Sequence, residues 1–74
     1  MQTLMRDVEA AWREAERIAA AATPGSQTYR TAMEAAVQLH GLLLHLKTTR
    51  PSDTELAHYR AILATMRSMV TGQA

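Results

Sequence analysis

His40, His45 and His58 are the side chains in this sequence best suited to moving a proton or holding a metal ion. His40 and His45 stand five residues apart, which turns them about 140° from each other around a helix. A helical metal pair needs a spacing of four, so these two cannot share an ion, and no metal site is expected. His40 falls on the apolar seam of its helix and reads as a core or interface histidine. Because imidazole titrates near neutrality, a pH-sensitive contact there is a secondary reading. His45 and His58 read as solvent-facing. Nucleophilic catalysis requires a Ser or Cys beside a base that a third group orients. The chain has no Cys, and Ser26, Ser52 and Ser68 read as two helix caps and a surface position. Asp7, Glu9, Glu14 and Glu16 share one exposed face, and Asp53 and Glu55 occupy a helix first turn, where the macrodipole favours acids. With no glycine-rich phosphate loop either, the expectation is a protein that is not an enzyme and carries no cofactor.

The elements that would position these residues are helices. Ala, Leu, Met, Arg, Glu and Gln dominate, while Phe is absent and Gly and Pro are few. Leu4, Val8, Ala11, Ala15, Ile18 and Ala22 follow one another at spacings of four and three, a continuous stripe on a first helix over about residues 4–22. Thr23-Pro24-Gly25-Ser26 ends it, and the shortness of that turn makes the next helix an antiparallel neighbour. The second helix, about 27–48, is apolar around more than half its circumference, including Tyr29, Ala32, Met33, Ala36, Val37, Leu39, His40 and Leu42 to Leu44. Such a helix is expected to lie centrally, packed on both others or on another chain. After Pro51, Ser52 and Glu55 have the spacing of a capping box, with Pro51 and Leu56 at the positions of a hydrophobic staple. The third helix, about 53–71, is expected to bury Leu56, Tyr59, Ile62, Leu63, Met66, Met69 and Val70. The predicted fold is an all-α antiparallel three-helix bundle, a single helical domain over 1–74. The alternative is an extended helical hairpin plus an N-terminal helix.

Net charge is +1, so no strong field draws the molecule to nucleic acid or an anionic membrane. Residues 27–74 carry Lys47, Arg50, Arg60 and Arg67, but no helix has the dense polar and basic run of a DNA-reading helix. Nucleic-acid binding is therefore disfavoured, and a small DNA-binding or phage or plasmid regulator stays as an alternative. There is no eighteen-residue apolar run, and the N-terminal stretch MQTLMRDVEAAWRE is charged where a secretory signal would be apolar. A cytoplasmic location without membrane attachment is expected.

Seventy-four residues without cysteine make a small core, for which a partner chain is the natural supplement. The expected function is a small bacterial or phage interaction module, chaperone-like, adaptor or regulatory, acting through apolar helix faces. A protein partner or homo-oligomer is expected, with a dimer through the Ala-rich stripe of the first helix favoured. Candidate interface residues are Trp12, Ala15, Ile18, Val37, His40, Leu44, Met66 and Met69.

From Tyr29 to Val70 the chain reads as a long helical hairpin with Pro51, Ser52, Tyr59 and Leu63 around its turn, in LHLKTTRPSDTELAHYRAILATM. This stretch resembles the small helical-hairpin co-chaperones of bacterial type III secretion needle proteins, and less closely the needle subunits. The resemblance implies a non-enzymatic protein that holds an aggregation-prone subunit on a hydrophobic helix face. The long, regular first helix departs from that pattern.

Overall fold

The computed structural model describes residues 2–72, and within them three helices: α1 (Gln2–Ala21), α2 (Gln27–Thr48) and α3 (Asp53–Gly72). They form an all-α three-helix bundle, 39 × 19 × 15 Å in extent, with no strand among the described residues. The helix bounds agree with the expected ones to within two residues.

Local chemistry accounts for each helix end. The Ser26 amide donates to the Thr23 carbonyl at 3.0 Å, closing a turn with Pro24 second and Gly25 third. Gly25 has φ of 83°, the left-handed conformation that the third position of a type II turn demands and that glycine adopts without strain. The Arg30 guanidinium then clamps the turn, donating twice to the Gly25 carbonyl at 2.9 and 3.2 Å. Ser26 caps α2, its Oγ accepting from the Tyr29 amide at 3.1 Å. The capping box of α3 is formed in both directions: the Glu55 amide donates to Ser52 Oγ, and the Ser52 amide donates to Glu55 Oε1, each at 3.3 Å. Pro51 and Leu56, at the staple positions, are both half-buried.

The helices do not pack equally. α1 and α2 are the principal pair, and α3 leans on both with far thinner contact. The pairing follows from small residues: Ala11, Ala15 and Ala19 of α1 and Ala32, Ala35 and Ala36 of α2 are all buried, and short side chains at a contact let two helices approach closely. Toward the other end the core is built from Leu4 and Val8 of α1, Leu39, Leu43 and Leu46 of α2, and Leu63 and Val70 of α3. As expected, α2 packs on both other helices, and α1 does so too.

Three burial expectations also change. Ala19 replaces Ile18 in the buried stripe of α1, which ends on a step of four from Ala15 and leaves Ile18 half-buried. In α3 only Leu63 and Val70 are buried; Leu56, Tyr59, Ile62 and Met66 are half-buried, and Met69 is 44% exposed. Met33 is exposed as well, so of the methionines expected inside, none is fully buried. The one buried polar side chain among the described residues, Thr31, is satisfied by the Gln27 side-chain amide, which donates to its Oγ1 at 3.1 Å.

Candidate protein-binding face

With Leu39, Leu43 and Leu46 turned inward, α2 still has apolar side chains to spare. Met33 is 39% exposed, Val37 67% and Leu44 50%, and His40 is exposed between them. These positions fall at steps of four, three and four, so they make one stripe along the helix rather than scattered points. Leu46 lies nine residues beyond Val37, about 180° round the helix, which sets the stripe on the back of α2 relative to its buried side. Gly41 belongs to this back, and a Cβ built on it would meet nothing within 4 Å.

The stripe is edged by an aromatic contact. The rings of Trp12 and His40 stack with centroids 4.8 Å apart and planes inclined at 28°, and the Arg13 guanidinium stands 5.8 Å from the indole centroid. Trp12 is half-buried. His40 is therefore a surface histidine held against an indole, not a core one, because the position on α2 that faces the interior is already filled by Leu39.

The candidate interface residues separate into three places. Val37, His40 and Leu44 come together on the back of α2, with Trp12 at its edge. Ala15 is fully buried, and Ile18 packs half-buried against the core, both as part of the α1–α2 contact. The Ala-rich stripe of α1, expected to serve a dimer, is thus covered by α2 of the same chain. Met66 lines the seam between α1 and α3, and Met69 is exposed on α3. Met33 and Gly41 extend the stripe but were not among the expected residues. The signals for them were Met33 four residues before Val37, and a glycine in a helix interior with no turn to require it.

The other histidines have separate settings. His45 Nε2 shares a hydrogen bond of 2.9 Å with the Tyr59 hydroxyl, tying the last turn of α2 to α3, and the two rings meet edge to face. His58 lies exposed, 6.0 Å from the Tyr59 ring between centroids. Among the described residues no three His, Asp or Glu side chains are grouped to hold a metal ion. A cavity of about 190 Å³ lies along the α1–α3 seam, lined by Ala10, Ala11, Leu39, Met66 and Val70 with Arg67 at its edge. The alanines of α1 are short and leave this gap opposite Met66, and Glu14 and Thr71 add polar groups to its lining. On the solvent side of α1, Glu14 accepts from Arg17, and that hydrogen bond holds the Glu14 carboxyl below the usual carboxylate range. The pair lies at the surface, and Glu14 also lines the cavity on the α1–α3 seam.

No family model matches this chain, and no similar curated protein or solved structure was found. Among the described residues, fold and surface define an all-α three-helix bundle with apolar side chains exposed along α2.

Proposed function

We propose that this chain is a non-enzymatic protein–protein interaction module that works through the back of α2. The observation that carries the reading is the line of Met33, Val37 and Leu44, exposed on α2 although Leu39, Leu43 and Leu46 already fill its inner side. Isolated apolar side chains on a surface need no explanation, but aligned ones mark a binding face. The spacing matches helix-to-helix recognition, in which anchors recur every three or four residues. A module of this kind acts by occupying or bridging other proteins, as an adaptor, regulator or chaperone-like holder. The described residues contain no helix long and apolar enough to cross a membrane. Cytoplasmic work fits the absence of Cys from the sequence.

The test is capture from lysate of the source cells with the wild-type chain and with the double variant Val37→Lys/Leu44→Lys, both positions being exposed enough to leave folding intact. A protein retained by the wild type and lost by the variant is the expected result. Equal retention by both would reject the back of α2 as the binding face.

A further inference from the structure

We infer that the cavity on the α1–α3 seam is a binding site for a small organic anion, a monocarboxylate whose apolar body is about the size of benzene. The site is separate from the back of α2, and its occupancy does not depend on what meets that face.

Shape selects a small molecule. The cavity holds about 190 Å³ and runs from Ala10 to Glu14 along α1 and from Met66 to Thr71 along α3. That is little more than one turn of each helix, so the space is a pit rather than a groove. Ala11, Leu39 and Val70 line it and are buried, so its inner wall is drawn from all three helices. A docking helix spreads its anchors over two turns or more, and this pit has no room for that row. An apolar cavity of about 150 Å³ stays free of water and takes up benzene, so a six-membered ring or a short chain fits here. Met66 helps, because an unbranched thioether reshapes itself around what it touches.

Charge selects the head group. Glu14, Arg67 and Thr71 are the polar residues of the lining. Both carboxylate oxygens of Glu14 already accept from the Arg17 guanidinium, which leaves that acid taken for a cationic ligand. The Thr71 hydroxyl donates to the Arg67 carbonyl within α3. The Arg67 guanidinium has no hydrogen bond or ion pair among the described residues, and Asp7, a turn before Ala11 on α1, does not reach it. A free guanidinium beside an apolar pit suits a carboxylate, which it binds through two parallel N–H···O bonds. With the carboxylate at Arg67, the apolar body of the ligand fills the space against Leu39 and Met66.

Phenylacetate is the probe, with phenethyl alcohol as its uncharged counterpart, each titrated into the full chain while amide and methyl NMR shifts are followed. Saturable shifts at Ala11, Leu39, Met66 and Val70 are expected, with phenylacetate half-saturating below about 5 mM. Arg67→Gln should weaken phenylacetate ~5-fold or more and leave phenethyl alcohol unchanged. Ala10→Leu, at an exposed position on the rim, should fill the pit and abolish binding of both, with circular dichroism showing the helices intact. No saturable shift with phenylacetate up to about 20 mM would overturn the site. Equal affinity of wild type and Arg67→Gln for phenylacetate would overturn the anionic head group, and shifts that survive Ala10→Leu would place the ligand outside the cavity.

Discussion

Trp12 and His40 stack face to face across the α1–α2 pair, 4.8 Å between ring centroids. The contact fixes the edge of α1 to the edge of the uncovered stripe, away from the seam with α3: Ala10, which lines that seam, is turned about 200° from Trp12 around the helix. Aromatic pairs of this kind contribute about 0.5–1.5 kcal/mol beyond their buried area. His40→Ala should therefore lower the unfolding free energy by about 1 kcal/mol. It should also red-shift the emission of Trp12, the only indole in the chain, which fluorescence and urea unfolding would read together.

Leu43 and Leu44 are adjacent and chemically identical, yet Leu43 is 4% exposed and Leu44 50%. Leu43→Ala is expected to cost about 2–5 kcal/mol, the transfer loss plus the cavity it leaves. Leu44→Ala should cost under about 1 kcal/mol in dilute solution, where only partial burial is lost. Urea midpoints of the two variants at low protein concentration check the pair.

Much of the fold was legible in the residues. The Ser52–Glu55 box and the Pro24–Gly25 turn name their own conformations, because a cap and a left-handed glycine are local requirements. The site was only partly legible. Helix α2 is apolar on opposite sides, and periodicity cannot say whether the Leu39–Leu43–Leu46 side or the Val37–Leu44 side meets α1; packing against Leu4 and Val8 decides it. His40 looked like an inner residue for the same reason. On α3 a fully buried stripe was expected, but Ala10 and Ala11 are too small to cover Met66, so much of that stripe is only half-covered.

Gly25, which precedes α2, and Gly41, inside it, should respond in opposite senses. Gly41→Ala removes the entropic penalty of glycine in a helix with no clash, and should stabilise the monomer by about 0.5–1 kcal/mol. Gly25→Ala forces a side chain into φ of 83°, and should destabilise by about 1–2 kcal/mol. Thermal unfolding of both variants against the wild type decides this.

Helix α3 depends on its cap more than α2 does, because less of it is buried. Ser52→Ala removes the hydroxyl that accepts from the Glu55 amide, and should cost about 1 kcal/mol. Amide hydrogen exchange would show the loss as faster exchange over the first turn of α3, with the α1–α2 pair protected as before.

The central claim is that the back of α2 is where this protein meets another. A photo-crosslinking amino acid placed at Val37, with a control at the exposed Arg6 of α1, tests it most directly in the source cells. The account predicts discrete adducts from position 37, to a second copy or to another protein, that position 6 does not give. The same adduct pattern from both positions, or none from position 37, would contradict it.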